Sequence, residues 1–301
     1  MSELITILGP TATGKTSLAA MLAVAINGEV ISADSRQVYR GMDLGTGKDL
    51  DDYIVEGQQI PYHLIDIADP GEEYNVFRFQ QDFLAAFNSI RQKNKKAVMC
   101  GGTGMYLESV ILSYAMKRAG EESQLRQELE TLPDDELKDR LMQSRSLHNT
   151  TDTNDRNRII RAIEIAESGD QRPDVVLDLQ KIHHKVFGLS LPREEIRSRI
   201  TRRLKQRLEG GMIGEVEALI KSGIKPDQLM FYGLEYRYLT EYVTGKISYN
   251  DMYQRLNSAI HQFAKRQMTW FRRMEKKGVN IIWLDGTLSM NDKLDLLMRD
   301  L

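Results

Sequence analysis

Short apolar runs closed by glycine or polar residues alternate with amphipathic segments along the N-terminal third of the chain. Leu4 to Leu8 is such a run, ending at Gly9, and predicts a buried strand. Leu18, Ala19, Leu22, Ala23 and Ile26 then recur at helical spacing. Glu29 to Ala33 reads as a second strand and Tyr62 to Ile67 as a third. Val76, Phe77, Phe79, Phe83, Leu84, Phe87 and Ile90 mark an amphipathic helix, and Ala97 to Cys100 a further buried strand closed by Gly101-Gly102. Strand alternating with helix predicts a parallel sheet covered on both faces.

The middle of the chain changes character. Tyr114 to Asn154 carries charge and helical patterning but no strand signal, with helices predicted over Ser123–Glu130 and Asp134–Gln143, joined at Pro133. Strands return at Val186–Leu191 and Val279–Leu284, and a long helix from Asn250 to Lys277 lies between them. The expected fold is α/β: a parallel sheet flanked by helices, P-loop NTPase-like because the run from Gly9 to Thr16 between the first strand and helix fits G-x-x-x-x-G-K-[ST], formed by residues 1–113 and 155–301 and carrying a helical insertion domain over 114–154.

Composition narrows the class without naming it. The 301 residues are 41% hydrophobic and 28% charged, enough for a sizeable core. A formal net charge of −2 excludes a uniformly basic coat, so a nucleic-acid site has to come from local clusters. A single cysteine, Cys100, makes neither an internal disulfide nor a Cys-rich zinc site. Met1-Ser2-Glu3 precedes the first strand without a charged leader, and no apolar run is long enough to span a bilayer. A cytoplasmic protein is the expectation.

Gly9-Pro10-Thr11-Ala12-Thr13-Gly14-Lys15-Thr16 fits G-x-x-x-x-G-K-[ST], with a strand before it and a helix after it. Such a loop turns backbone N–H groups and a helix N-terminus toward a phosphate, Lys15 adds a charge, and the Thr16 hydroxyl can hold Mg²⁺. The motif leaves the phosphate compound open. ATP is the default, and kinase or ATPase chemistry would need a second acid, for which Asp66 is the candidate against an ordinary strand-end residue. Asp34-Ser35 and Thr103 follow other predicted strands and should face the same crevice, at the carboxyl ends of the sheet. Asp34 is there either a base or a turn cap. Gly101-Gly102-Thr103-Gly104 admits either a ligand or a tight turn.

Basic residues gather in three places: Arg193 to Arg207, with Arg199 and Arg203 on one helical face; Arg156, Arg158 and Arg161; and Lys265 to Lys277 beside Trp270 and Phe271. A single basic helix is usually a solvated face, but three clusters in an acidic chain favour an anionic partner. Phe231, Tyr232, Tyr236, Tyr238 and Tyr242 read as core rather than as base-stacking residues. His183-His184 lacks the neighbours of a metal site.

Together these motifs resemble the tRNA dimethylallyltransferase (isopentenyl-tRNA transferase) family. The likeness runs from Gly9 to Arg272 through the phosphate loop, Asp34-Ser35-Arg36-Gln37-Val38-Tyr39, Gly45-Thr46, Gly101-Gly102-Thr103-Gly104-Met105-Tyr106-Leu107, Asn154-Asp155 with Arg158 and Arg161, and Ala264 to Arg272. It is weakest between Tyr114 and Thr153. The resemblance implies a transferase that takes dimethylallyl diphosphate, not ATP, into the loop formed by Gly9, Thr11, Ala12, Thr13, Gly14, Lys15 and Thr16. Thr16 would hold Mg²⁺, and Asp34, Thr103, Arg199 and Arg203 would carry the chemistry. Asp34, Ser35, Arg36, Gln37, Asn157, Arg158 and Arg161 would meet tRNA, whose anticodon stem-loop the insertion would grip. The acceptor is N6 of an adenosine beside the anticodon, and the enzyme is expected to act as a monomer.

The chain departs from that pattern at several points. Gly45-Thr46-Gly47-Lys48-Asp49 replaces Gly-Thr-Ala-Lys-Pro, which predicts a looser loop. Asn157 replaces Gln, Arg207 replaces a frequent Met, and Gly233-Leu234-Glu235 stands for Gly-Tyr followed by a basic residue. These changes are expected to touch RNA recognition more than the phosphate cradle.

Overall fold

The computed structural model describes residues 4–114, 123–144, 156–167, 179 and 182–301. The chain forms two units, Met1–Tyr114 with Asp178–Leu301, and Ala115–Leu177. The first begins with strand β1 (Leu4–Leu8), helix α1 (Lys15–Ala25) and β2 (Gly28–Ala33). A small hairpin, β3 (Ile54–Val55) and β4 (Gln58–Gln59), precedes the edge strand β5 (Tyr62–His63). Then come α2 (Val76–Gln92), β6 (Lys96–Gly101) and α3 (Gly104–Ile111).

The second unit contains α4 (Ser123–Thr131), α5 (Asp134–Ser144) and α6 (Arg156–Glu167). The chain returns to the first unit through β7 (His184–Ser190), α7 (Arg193–Glu209), α8 (Met212–Lys221), α9 (Pro226–Leu229) and α10 (Leu234–Val243). It closes with α11 (Tyr249–Lys276), β8 (Ile281–Asp285) and α12 (Met290–Asp300).

The main sheet has six parallel strands in the order β5-β2-β6-β1-β7-β8. β1, β2, β6 and β7 sit inside it and carry near-continuous burial, as a sheet covered on both faces requires. One face packs Ile5, Ile7, Val30, Val98 and Phe187 against Leu18 and Leu22 of α1. On α2, Phe79 stacks with Tyr106 of α3 at 4.2 Å between ring centroids. Register matters for function: Leu8 lies opposite Gly101, and Gly101 opposite Ala33, so the loops after β1, β2 and β6 leave the sheet at one level.

The third strand is shorter than the apolar pattern predicts. It ends at His63, because Leu64 (φ 64°) and Asp66 (φ 56°) adopt left-handed backbone that no strand accommodates. The turned segment is tied instead to the loop after β2, through Asp66 N–H to the Gln37 carbonyl (3.2 Å) and Ile67 N–H to that of Val38 (2.8 Å).

At the opposite end of the sheet Glu29, 1% exposed, accepts hydrogen bonds from His63 (2.8 Å), Lys93 (3.1 Å) and Lys95 (2.9 Å). Burial alone would raise its pKa, but these bonds outweigh it and hold the carboxyl at about 2, from an ordinary 4.5. A depressed carboxyl contributes stability above its unfolded pKa and loses it as pH falls toward the folded value. Glu29→Gln is expected to lower stability by about 2 kcal/mol at neutral pH. Denaturant titrations should show that difference shrinking between pH 4.5 and 2; a gap constant across that window would contradict the assignment.

In the second unit, α4, α5 and α6 share a core of Leu129, Leu137, Leu141, Ile159, Ile160 and Ile163. Arg140 bridges Glu128 (2.6 Å) and Glu167 (2.8 Å), and Arg156 binds Asp134 and the carbonyls of Glu130 and Leu132. The helical unit therefore takes in α6, which the sequence reading placed with the core from residue 155, because the apolar face of α6 is buried on α4 and α5. No helix among the described residues is long and apolar enough to cross a membrane.

Candidate active site

The glycine-rich turn between β1 and α1 folds as its sequence predicts. Ala12 (φ 66°) and Gly14 (φ 82°) turn left-handed, which curls the backbone N–H groups into a nest ahead of α1. Thr13 Oγ1 locks the curl by donating to the Pro10 carbonyl (2.9 Å). The half-buried Lys15 donates through Nζ to the same carbonyl (3.4 Å). Burial lowers the Lys15 pKa, with Arg203 adding to the effect while Cys100, Asp34 and Asp49 oppose it. Cys100 lies behind the turn, its thiol 3.5 Å from the Lys15 carbonyl and pushed up to about 12 by burial, which makes it an inert core residue.

Asp34 and Thr103 converge on this turn from the neighbouring strand ends. Asp34 Oδ1 accepts the N–H groups of Arg36 (2.9 Å) and Gln37 (3.4 Å), so one oxygen caps the turn after β2. Its Oδ2 has no hydrogen-bond partner among the described residues. The cap reading of Asp34 is therefore compatible with the base reading: one oxygen caps the turn and the other stays available. Thr103 Oγ1 accepts from Ser35 N–H at 3.0 Å and ties the two strand ends together. Gln37 accepts from Ser32 (3.1 Å) and donates to the Gly47 carbonyl (3.0 Å), while Arg36 and Ser35 stay partly exposed at the mouth.

The glycines around Thr103 make room for side chains of α11. A Cβ on Gly102 would lie 2.4 Å from Gln267 Nε2, and one on Gly104 2.4 Å from the Trp270 ring. Both residues belong to α11. Gln267 is 6% exposed, accepts Thr11 N–H (2.8 Å) and donates to the Gly102 carbonyl (2.9 Å), so one amide side chain joins the phosphate turn to the end of β6. Its signal in the sequence is a polar residue on the otherwise apolar stripe Ile260, Ala264, Phe271 and Met274.

Of the two arginines on α7, the structure brings Arg203 to the cradle. Its Nη2 donates to Thr11 Oγ1, whereas Arg199, one turn earlier, donates to Glu195 at 2.7 Å. Burial, with Arg207 alongside, lowers Arg203 to about 10. Asp66, the candidate second acid, is instead the partner of Lys48, whose ammonium also binds Asp43 (2.7 Å) and the Tyr39 carbonyl (2.6 Å). That role is structural.

The loop 43–49 is pinned, not loose. Glu215 of α8 accepts N–H groups from Asp43 (2.9 Å), Leu44 (2.7 Å) and Gly45 (3.0 Å), and takes a further bond from Tyr236 (2.6 Å). Asp49 binds Arg207 through both oxygens (2.8 and 3.0 Å). The departures at Asp49 and Arg207 thus meet each other, beside Arg203. Of the aromatic group, Tyr232 and Tyr236 are buried, Tyr232 edge-on to Tyr39 at 4.7 Å, while Phe231 is 77% exposed.

The profile of the IPP transferase family matches residues 37–274, and that of isopentenyl transferases residues 2–64. The chain belongs to the IPP transferase family. It is 55% identical over 297 residues to tRNA dimethylallyltransferase 2 of Phocaeicola vulgatus, covering 99% of this chain and 97% of that one. Its fold is similar to a full-length tRNA isopentenylpyrophosphate transferase of Bacillus halodurans (TM-score 0.72, 31% identity, 100% and 95% coverage). It is also similar to a eukaryotic dimethylallyltransferase described as acting on tRNA (TM-score 0.77, 25% identity, 95% and 74% coverage). The remaining positions that the resemblance marks in this IPP transferase lie on the helical unit. Asn157 and Arg158 are exposed on α6, Arg161 binds the buried Glu164 (3.0 Å), and Asn154-Asp155 falls outside the described residues.

Proposed function

We propose that this chain transfers the dimethylallyl group of dimethylallyl diphosphate to N6 of an adenosine beside the anticodon of tRNA, releasing diphosphate. One observation carries the reading: a carboxylate with a free oxygen, Asp34, shares a crevice with a cationic phosphate cradle, Lys15 and Arg203. A cradle alone suits any phosphate compound, whereas a base beside it suits transfer from a diphosphate to a protonated nucleophile.

The adenosine N6 attacks C1 of the donor, the C1–O bond breaks, and the bonding pair leaves with the diphosphate. Lys15, Arg203 and the loop N–H groups stabilise the charge that develops on the departing oxygen. The N6 proton passes to Asp34 Oδ2, while Oδ1 keeps the carboxylate aimed through its backbone bonds. Thr103 holds the turn that carries Asp34. Thr16 presents a hydroxyl at the start of α1, and no cluster of three acidic, His or Cys side chains able to cage a metal occurs among the described residues. The Thr16 hydroxyl would hold a Mg²⁺ ion supplied with the diphosphate. The ion would neutralise part of the leaving group's charge.

The target base leaves its stack to reach the crevice. Ser35, Arg36 and Gln37 meet it at the mouth, and Asn157, Arg158 and Arg161 of the helical unit hold the anticodon stem-loop. The enzyme is proposed to act as a monomer, in the cytoplasm where its tRNA substrate is met. The test incubates the protein with radiolabelled dimethylallyl diphosphate, Mg²⁺ and unmodified tRNA, with labelled ATP as a parallel donor. Label on N6 of a tRNA adenosine is the expected result. Unlabelled tRNA together with ATP turnover would overturn the reading in favour of a P-loop kinase or ATPase.

A further inference from the structure

The geometry points to Arg207 as a second anion-binding guanidinium of the cradle, for which Asp49 is a stand-in ligand that the terminal phosphate of the donor displaces. The inference rests on the diphosphate reading above and adds a residue and a ligand-exchange step to it.

Arg203 and Arg207 are one turn apart on α7 and present the same face. Arg203 Nη2 reaches Thr11 of the phosphate turn, and its Nη1 is 3.9 Å from Asp49. Arg207 Nη2 lies 2.8 and 3.0 Å from the two Asp49 oxygens. One carboxylate therefore stands between two guanidinium groups that would otherwise repel each other. Carboxylate and phosphate present the same oxygens to a guanidinium fork, so a site shaped for one accepts the other.

The remaining donors of Arg207 are not consumed. Its Nε is buried and has no hydrogen-bond partner among the described residues. An unpaired buried N–H costs free energy unless a ligand arrives to use it. Beneath the guanidinium the chain carries Gly47, where a Cβ would lie 2.4 Å from Arg207 Nη2, so the group rests directly on backbone. Exposure decides which partner moves: the Arg207 side chain is 11% exposed and fixed, whereas that of Asp49 is 46% exposed and can turn out to solvent. Lys15 feels both Arg203 and Asp49, which places the exchange beside the phosphate turn and not on a remote surface. Glu235, whose pKa burial raises while Arg207 and Arg203 oppose that rise, and Asp52, which faces Arg203, are further acidic neighbours of the pair.

The alternative use of the pair is a strap that ties the loop 43–49 to α7. Isothermal titration of inorganic pyrophosphate into the full-length protein separates the two. Arg207→Met, which keeps the aliphatic stem, is expected to raise Kd by about 10- to 100-fold, the loss of charge-assisted hydrogen bonds. Asp49→Asn is expected to lower Kd by about threefold, because the competing carboxylate is gone. A strap predicts instead that both variants weaken binding alike; that result, or an unchanged Kd in Arg207→Met, would overturn the inference. Should Arg207→Met not fold, Arg207→Lys carries the test, with Kd rising about 3- to 10-fold as the fork is lost. Failure of the unaltered protein to bind pyrophosphate would remove the diphosphate reading itself, an outcome distinct from a loss confined to the Arg207 variants.

Discussion

Asp34→Asn is expected to cut prenyl transfer by about 10²–10⁴-fold, the usual contribution of a positioned general base, with tRNA affinity little changed. The substitution is chosen for what it preserves. Asparagine keeps an oxygen where Oδ1 accepts the Arg36 and Gln37 N–H groups, so the turn that seats Ser35 and Gln37 survives. It puts an amide nitrogen at Oδ2, which cannot take a proton from N6. Asp34→Ala removes both functions and mixes chemistry with loop geometry. Single-turnover transfer and tRNA binding, measured side by side on Asp34→Asn, separate the two. Turnover near that of the unaltered enzyme would remove Asp34 from the chemistry and leave it as a turn cap.

Lys15→Met should reduce kcat/KM for the prenyl donor by about 10²–10³-fold, the typical cost of losing one donor to a developing oxyanion. Lys15 meets the cradle from within, held to the Pro10 carbonyl and flanked by Arg203. Its pH signature gives a second readout. Because burial lowers its pKa, raising the pH strips its proton below the usual lysine range of about 10.4. Since kcat/KM reports the free enzyme, its alkaline limb should begin below that range and vanish in Lys15→Met. An alkaline limb that persists unchanged in the variant would assign it to another group.

The two predictions draw on the same kind of information. Lys15 and Asp34 were legible from the chain because each sits in a short segment whose backbone is dictated locally. The glycine-rich turn needs left-handed positions at Ala12 and Gly14, and Asp34 follows a buried strand whose length is set by its own apolar run. Parallel order then places strand ends together whatever the remaining detail. Thr103 was reached by the same logic. The family resemblance rested on several such segments in sequence, and the IPP transferase assignment upholds it.

What the chain did not disclose were the partners that meet across long separations. Nothing local distinguishes Arg203 from Arg199; only the packing of α7 directs one onto Thr11 and leaves the other on Glu195. Gln267 reads as a polar blemish on an apolar stripe until α11 crosses the phosphate turn. Asp66 has the spacing of a second acid, but two left-handed residues bend it onto Lys48. Asp49 and Arg207, two unrelated oddities in the sequence, form one ion pair. The apolar face of α6 commits it to the helical unit rather than to the core.

Sequence by itself determined the sheet, its order of elements and the segments that gather at the carboxyl ends of its strands, because periodicity and turn geometry act over a few residues. Only the tertiary structure decided which charged and amide side chains complete the site, because that choice depends on how helices far apart in the chain are brought side by side.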